Sequence, residues 1–348
     1  MFRNVNLTKN QATFEIYNID LAIVNAIRRT ILTDIPAIGF RGEDEPSLEI
    51  LKNNGPLHNE ILLHRFGLIP IHFNEEETEA FNSDEYEFEL NVENTTNTML
   101  NVSTNDFTVR KNGSNLSSKE LQRLFPSNSI TKKYILITRL RPGEHLHVRG
   151  KAVQGTSRMH AGFSPVSLCT FSFIEDSVLS AQATNVLDKE RAYQRNEFGD
   201  PVAYKFDIEC ESGLSPKYLV TKVFEILLQK LEKTIVELHQ EPSDYVSYKP
   251  SEKGVGYDFV FQNEDDTFGN LLQSLMYNHY LREKKPTERG NNVTYVGYVC
   301  PHPLETVMVL NIVIDGNPSV TDYVEALTEQ CRRIQSEIQA VMKEWQML

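Results

Sequence analysis

The chain has 348 residues, 40% of them hydrophobic and 24% charged, which is the composition of a globular protein with two or three domains. Its net charge of −13 argues against a protein that holds DNA over its whole surface through phosphate contacts. The N-terminus lacks a secretory core, no run reaches the roughly 18 apolar residues of a membrane span, and the four cysteines are scattered, which predicts an intracellular protein with free thiols.

Residues 14–36, FEIYNIDLAIVNAIRRTILTDIP, predict a short strand followed by a capped amphipathic helix. Asp20 occupies the N-cap position, and Pro36 pushes the residue before it out of the helical region. The apolar stripe of this helix comprises Leu21, Val24, Ile27 and Ile31. Arg28 and Arg29 lie opposite this stripe or at its border.

Residues 41–150 predict a β-rich unit inserted into a surrounding domain, because two-residue alternation dominates there. Strands are expected within residues 86–110, 134–140 and 145–153. Residues 57–66 have helical spacing, and residues 47–52 suit a strand or a helical turn. The acidic residues 74–87 predict an exposed loop.

The surrounding domain resumes at residue 151. Residues 166–171 and 204–210 predict strands, residues 176–200 predict a loose helix and loop, and Ser215 with Pro216 marks the start of a long helix. Its heptad stripe comprises Val220, Phe224, Leu227, Leu231 and Leu238. Residues 241–255 are rich in Pro, Ser and Gly and predict a linker.

Residues 256–348 repeat this order in a shorter form. Strands are expected at residues 256–262, 295–299 and 306–314, with a helix at residues 267–281 between the first two. The last helix starts at Ser319, and its stripe comprises Val320, Val324, Leu327, Cys331, Ile334, Ile338, Val341 and Trp345. At an offset of 259 − 14 = 245, Phe14, Asn18, Asp20 and Asn25 align with Phe259, Asn263, Asp265 and Asn270.

The repeat predicts an α+β fold with two related units in one chain. Residues 1–40 and 151–240 would form the first unit, residues 41–150 the insertion, and residues 256–348 the second unit. Either each long helix covers only its own sheet, or the two units also form an intramolecular pseudo-two-fold pair. The predicted interface of such a pair comprises Leu21, Val24, Ile31, Phe224, Leu227, Leu231, Phe268, Leu272, Leu327, Ile334 and Ile338.

Five motifs resemble a known family. IDLAIVNAIRRTILTDIP, LHNEILLHRFGLIPI and ITRLRPGEHLHVRGKAVQGTSRMHAGFSPV resemble the third subunit of eukaryotic RNA polymerase II, archaeal D and the bacterial α N-terminal domain. DDTFGNLLQSLMY and VTYVGYVCPHPLE resemble the eleventh subunit and archaeal L. The resemblance covers nearly the whole chain and is weakest at residues 74–130 and 176–200.

The resemblance implies a fusion of two polymerase subunits that acts as a non-catalytic assembly scaffold. Its implied partners are the second-largest subunit and small subunits similar to the tenth and twelfth, with DNA and RNA reached only through the complex. Fusions of this kind imply a large cytoplasmic DNA virus, hence the host cytoplasm and possible packaging in the virion. The zinc loop that the third subunit often carries is not expected, because residues 74–98 contain no cysteine. No cofactor is expected on this chain, and the Mg²⁺ of the polymerase would lie on the two largest subunits.

The resemblance also gives roles to polar residues. The predicted large-subunit interface comprises Arg28, Arg29, His64, Arg65, Lys151, Arg158 and His160. Arg28 or Arg29 would contact the large subunit or pair with an acid in the dimer interface, unless both are simply solvated. For His64 and Arg65 the alternative is a hydrogen-bonded structural pair. Gly155 and Gly162 allow a tight course in the loop that carries the last three residues.

The sequence bears on two other functional classes. An enzyme is disfavoured because GxSxG, phosphate-loop and Cys/His nucleophile patterns are missing, and because the histidines have no zincin-type spacing. The candidate metal ligands among them are His58, His64, His72, His145 and His147. The second class is a stand-alone structural or nucleic-acid-binding dimer module, favoured by basic segments at residues 132–158 and 282–289, which suit solvated loops equally well.

Overall fold

The structure is a computed structural model that describes residues 1–42, 45–240, 243–252 and 254–348. The strands are β1 (Phe2–Leu7), β2 (Gln11–Tyr17), β3 (Ala37–Gly39), β4 (Leu48–Asn53), β5 (Tyr86–Glu93), β6 (Leu100–Ser103), β7 (Phe107–Lys111), β8 (Ser114–Asn115), β9 (Leu136–Leu140), β10 (His145–Gly150), β11 (Val153–Gly155), β12 (Val166–Phe173), β13 (Ala203–Cys210), β14 (Val246–Pro250), β15 (Tyr257–Gln262), β16 (Val293–Val299) and β17 (Val307–Ile314). The α-helices are α1 (Leu21–Thr33), α2 (Asn59–Gly67), α3 (Glu75–Glu79), α4 (Ser118–Leu124), α5 (Ser177–Gln182), α6 (Val186–Glu190), α7 (Pro216–Glu237), α8 (Asp266–Met276) and α9 (Val320–Gln346).

The first unit is an antiparallel sheet in the order β1-β2-β13-β12, with α1 and α7 packed against it. Alternation places Phe14 and Ile16 in the core, and Phe14 pairs in register with Phe206 of β13. The helix α7 begins at the predicted cap, where the Ser215 hydroxyl accepts a hydrogen bond from the Tyr218 N–H at 3.2 Å.

The second unit has the same topology, in the order β14-β15-β17-β16. In both sheets the strand before the short helix is second and the strand before the long helix is third. The counterpart of β1 is β14, which lies within residues 241–255, predicted as a linker. Pro and Ser suggested a loop there, but an edge strand tolerates a proline such as Pro250 at its end. Residues 241, 242 and 253 of that linker lie outside the described residues.

The two units share one hydrophobic core. The helices α7 and α9 pack along each other, and α1 packs on α8. Trp345, near the end of α9, is fully buried against Phe14 and Phe2 of the first sheet, with ring centroids at 5.1 and 5.2 Å. Its indole N–H donates to the Lys217 carbonyl of α7 at 3.3 Å. Ten of the eleven residues predicted for the contact between the units are buried in this core: Val24, Ile31, Phe224, Leu227, Leu231, Phe268, Leu272, Leu327, Ile334 and Ile338.

Leu21 differs from the prediction, because 37% of its surface is exposed. It is the first residue of α1, and the buried face of the helix is centred instead on Ile23, Ile27 and Thr30. Helical spacing alone did not distinguish this first turn from the turns that follow it.

The insertion has its own core, built around Phe40, Phe88 and Phe107. Its sheet has the order β4-β10-β5-β7-β8, and β6 pairs with β9. The prediction of an exposed loop at residues 74–87 is wrong in part, since α3 forms there. Asn74 and Glu77 make a capping box at its start, and its acidic residues suit the positive end of the helix dipole.

Helices thus occur together with antiparallel sheets, so the predicted α+β class is confirmed. Within the described ranges, the structure contains no helix with both the length and the apolarity that a membrane crossing requires.

Candidate assembly interface

The two short helices start in the same way. Asp20 caps α1 by accepting from the Ala22 N–H at 2.7 Å, and Asp265 caps α8 by accepting from the Thr267 N–H at 2.8 Å. Two residues before each cap lies an asparagine in the left-handed region, with φ of 57° at Asn18 and 60° at Asn263. The sequence repeat is therefore also a repeat of local backbone structure.

Each cap is contacted by the other unit. The Asn278 side chain, just beyond α8, donates to Asp20 at 2.6 Å. Arg158, on the loop that returns from the insertion, donates to Asp265 at 2.8 Å. The helices α1 and α8 therefore lie antiparallel, with a cap at each end of the pair.

One end of this pair carries an ion cluster that joins the units. Arg158 donates to Asp34, the C-cap of α1, at 2.5 Å, and so bridges Asp34 and Asp265. Lys230 of α7 lies 3.0 Å from Asp34 and 3.0 Å from Glu264. The Tyr245 hydroxyl donates to Glu264 at 3.0 Å. We call Asp34, Arg158, Lys230, Glu264 and Asp265 the inter-unit ion cluster.

Burial and pairing compete in the inter-unit ion cluster. Burial favours the neutral acid in each case, but Arg158 and Lys230 outweigh it at Asp34, and Arg158 together with the hydrogen bonds from Thr267 outweighs it at Asp265, so both pKa values are lowered. At Glu264 burial dominates, and its pKa is raised despite Lys230. Glu264 is 4% exposed, so an ionised Glu264 depends on Lys230 for compensation.

The arginines of α1 have different surroundings. Arg29 donates to the Thr267 hydroxyl at 2.7 Å and lies 3.8 Å from Asp265, so it reaches across to the cap of the second unit. Arg28 donates to Asn25 of its own helix at 2.9 and 3.1 Å. The position of Arg29 is compatible with the predicted pairing with an acid between the units.

Three further residues of the predicted large-subunit interface, His64, Arg65 and His160, lie near the end of α2. The rings of His64 and His160 are 6.3 Å apart, and His160 Nδ1 accepts from the Gly162 N–H at 3.0 Å. Arg65 donates to the carbonyls of Leu136 and Ile137 at 2.8 and 3.0 Å, which ties α2 to β9. Lys151 has a separate partner, Asp84, at 2.6 Å.

Glycines allow both the return loop and the segment that follows β3 to lie directly on α2. A Cβ on Gly162 of the return loop would come within 1.8 Å of the Gly67 carbonyl oxygen, and a Cβ on Gly42 after β3 within 2.5 Å of the Leu63 carbonyl oxygen. A side chain at either position would force its segment away from α2. The resulting surface, which we call the α2 face, exposes the apolar residues Ile61 and Met159.

The α2 face also contains a groove of about 650 Å³. Gly42, Pro46, Glu60, Ile61, Leu63, His64 and Arg65 line it. A lining that combines apolar groups with charged and polar groups is typical of a surface that binds another protein.

Sequence reasoning missed Asp34, Lys230, Glu264 and Tyr245 as members of the contact between the units. A weak signal existed, because Lys230 directly precedes Leu231 of the heptad stripe and Glu264 precedes a cap. Their partners lie up to 230 − 34 = 196 residues away, so periodicity could not reveal them.

In the part of the chain that the structure describes, no His, Cys, Asp and Glu residues are grouped as a metal ion requires. His145 and His147 instead lie beside Asn91 at 2.7 Å and Glu89 at 3.0 Å on the neighbouring strand β5. These contacts suit cross-strand pairing.

Two segments match the family described as the RNA polymerase Rpb3/Rpb11 dimerisation domain, namely residues 13–231 and residues 257–344. The chain belongs to the Rpb3/Rpb11 dimerisation-domain family. The two matches confirm the prediction of two related units in one chain. The first Rpb3/Rpb11 segment includes Asp34, Arg158 and Lys230, and the second includes Glu264 and Asp265.

Several relatives carry the names of polymerase subunits. DNA-directed RNA polymerases I and III subunit RPAC1 of Homo sapiens is 29% identical over 197 residues, 50% of this chain and 54% of that protein. DNA-directed RNA polymerases II, IV and V subunit 3 of Arabidopsis thaliana is 26% identical over 238 residues, which are 58% of this chain and 71% of that protein. DNA-directed RNA polymerase II subunit RPB3 of Schizosaccharomyces pombe is 25% identical over 276 residues, which are 70% of this chain and 88% of that protein. The chain spans about half the length of the RPAC1 relatives it matches.

Proposed function

We propose that this chain is a non-catalytic assembly subunit of a multisubunit DNA-directed RNA polymerase. Its two units act as one intramolecular pair, and this pair docks the second-largest subunit. The names of its relatives support the class of complex. The main structural support is the contact of each helix cap, Asp20 and Asp265, with the other unit.

The apolar faces of α7 and α9 explain why the units pair within the chain. Leu231 and Ile334 are fully buried in a core that both sheets share. Separating the units would expose long apolar stripes, which soluble proteins bury in an interface. Because one chain carries both units, pairing needs no second copy.

The α2 face is the docking surface in this proposal. It combines exposed Ile61 and Met159 with His64 and Arg65, so a partner that presents apolar groups beside carboxylates would fit it. Small subunits similar to the tenth and twelfth belong to the same proposal, and DNA and RNA are reached only through the complex. The chain itself holds no cofactor, and Mg²⁺ lies on the two largest subunits.

The experiment is co-expression with the candidate second-largest subunit, followed by affinity purification. Ile61→Glu combined with Met159→Glu places two charges on the α2 face and is expected to abolish co-purification without changing the melting temperature. The matched control is Leu304→Glu, which changes an 88% exposed residue of the second unit. Retention of the partner by the double variant would overturn the assignment of the docking surface.

The alternative is a stand-alone dimer module that binds nucleic acid through its basic segments. Several cations of these segments already have acidic partners within the chain: Arg149 pairs with Glu87, Lys151 with Asp84, Arg282 with Asp200 and Arg289 with Asp322. A free monomer with salt-sensitive DNA binding would favour this alternative.

A viral source and packaging in the virion are the remaining parts of the proposal. Mass spectrometry of purified virions tests them, and the expected result is recovery of this chain together with the two largest polymerase subunits.

A further inference from the structure

The outer faces of the two sheets can be compared position by position, because the two units share one topology. In the second sheet, Phe259, Met308 and Leu310 point into the core, and the side chains that alternate with them point to the opposite, outer face. Apolar residues of three adjacent strands lie on this outer face. We call them the valine face: Val260, Tyr295, Val299, Val307, Val309 and Val313.

The valine face is accessible to solvent. Tyr295 is 51% exposed and Val299 is 52% exposed, and the other members are partly exposed. Among the described residues, none of the six belongs to either hydrophobic core or to the side chains that pack against these cores. A Cβ on Gly297 would lie 2.3 Å from the Tyr295 hydroxyl oxygen, so the Tyr295 ring lies against that glycine, along the face.

The equivalent face of the first sheet is polar and charged. Val260 corresponds to Glu15 at the offset of the repeat, 260 − 15 = 245. The row of cross-strand neighbours in the second sheet is Val260–Val309–Val299. The equivalent row in the first sheet is Glu15–Lys205–Ser172. The strands therefore form without valine at these positions, and a solvated face of an antiparallel sheet normally carries polar residues. An apolar face at this place indicates a surface that another protein covers.

The dimensions of the valine face match one helix. Three strands span about 10 Å, and the face extends along β17 from Val307 to Val313, about 20 Å. A helix with its side chains is about 10–12 Å wide, and about 14 residues of helix span about 20 Å. On the next strand, β14, the polar Ser247 and Lys249 continue the outer face, so its apolar part is too narrow for a second sheet.

The charges beside the valine face favour a basic partner. Asp315 directly follows β17, Glu305 lies two residues before it, and both are exposed. Asp258 lies on the outer face of β15. Lys249 is already paired with Glu252 at 2.7 Å. A second copy of this chain has a net charge of −13 and the same acids around its own valine face, so the two copies would repel each other.

We propose that the valine face binds an amphipathic helix of a partner protein. The apolar stripe of this helix covers Val309 and Val313, and lysines or arginines beside the stripe reach Asp258, Glu305 and Asp315. The valine face belongs to the second unit and is separate from the α2 face. The inference therefore goes beyond the proposed function and does not rest on it.

The probe is a fluorescently labelled synthetic peptide of about 14 residues, with leucines at helical spacing and lysines beside the leucine stripe. It is titrated into the full chain and followed by fluorescence anisotropy. We expect saturable binding with a dissociation constant on the order of 100 μM. A peptide of the same composition without a continuous stripe is expected to bind at least about tenfold more weakly. A third peptide, with glutamates in place of the lysines, should also bind at least about tenfold more weakly at low salt.

Variants test the face itself. Val260→Glu combined with Val309→Lys places the charged pair of the first sheet on the second sheet. The two positions are directly opposite on neighbouring strands, so an ion pair can form and the melting temperature should be retained. Binding of the lysine peptide is expected to fall at least about tenfold. Val299→Lys, at an exposed position of an edge strand, should weaken binding in the same direction. The matched control, Thr170→Lys with Ser172→Glu, adds one charge of each sign to the outer face of the first sheet and should leave binding unchanged.

Absence of saturation, equal binding of the peptide without a stripe, or unchanged affinity in the double variant would each overturn the inference. If the double variant does not fold, unchanged affinity in Val299→Lys overturns it. A dimer of the free chain that Val299→Lys abolishes would assign the face to a second copy and would also overturn it. Because the peptide is titrated into the isolated chain, the result is independent of co-purification with polymerase subunits.

Discussion

Lys230→Met tests the inter-unit ion cluster most sharply. Lys230 lies on α7 of the first unit and compensates both Asp34 and Glu264 at 3.0 Å. The methionine keeps much of the side-chain volume but removes the ammonium, so two buried acids lose a cation. Breaking a buried ion pair by removing one partner costs roughly 3–5 kcal/mol. We expect about 3 kcal/mol, the lower end of that range, because the Lys230 side chain retains 21% exposure.

The loss of stability in Lys230→Met is expected to increase with pH. The pKa of Lys230 is raised because Glu264 and Asp34 outweigh its burial, so it is charged between about pH 5 and pH 8 in the folded and unfolded states. Without Lys230, the folded-state pKa values of Glu264 and Asp34 rise. When the pKa of an acid is higher in the folded state than in the unfolded state, the folded state binds more protons at pH values between the two. The free energy of unfolding therefore falls as the pH rises from the unfolded-state pKa through the folded-state pKa. The variant is therefore penalised more near pH 8 than near pH 5.

The assay is urea unfolding of wild type and variant at both pH values. The matched control is Lys222→Met on the same helix, because Lys222 pairs with the exposed Glu79 and Glu225. Such a surface pair is worth about 1 kcal/mol or less. A loss below about 1 kcal/mol for Lys230→Met at pH 8, or a larger loss at pH 5 than at pH 8, would refute the reasoning.

Three further predictions address packing. Leu231→Asp places a charge in the shared core and should cost more than about 4 kcal/mol, seen as loss of folded protein by circular dichroism. Trp345→Ala should cost about 3–5 kcal/mol in urea unfolding while a single transition is kept, because Trp345 ties α9 to Phe14 of the other unit; two transitions would contradict the shared core. Gly162→Ala should displace the return loop from Gly67 and reduce co-purification with the second-largest subunit, whereas unchanged complex formation would show that the contact is dispensable.

Local signals explain which elements were predictable from sequence. The helices α1, α7, α8 and α9 were predicted from the cap at Asp20, its aligned counterpart Asp265, Pro216 at the first helical position and the two heptad stripes, because each signal lies within or directly beside the helix that it specifies. The edge strands β1 and β14 were missed. In β1 the register shifts between Arg3 and Asn6, so the two-residue alternation is broken.

The contact between the units was only half predictable. Apolar residues such as Leu231 and Ile334 were identified by periodicity alone. The pairing of Arg158 with Asp34 and Asp265 depends on a loop that returns after more than a hundred residues, so no local pattern could reveal it. For the arginines of α1, sequence reasoning named pairing with an acid across the units as one alternative, and Arg29 lies 3.8 Å from Asp265 of the second unit.

The most direct test of the account is the stoichiometry of the purified complex. Native mass spectrometry of this chain co-expressed with the second-largest polymerase subunit is expected to give one copy of each, because the intramolecular pair replaces a dimer of two chains. The free chain should be a monomer of 39.9 kDa. Two copies of this chain in the complex, or no complex at all, would contradict the central claim.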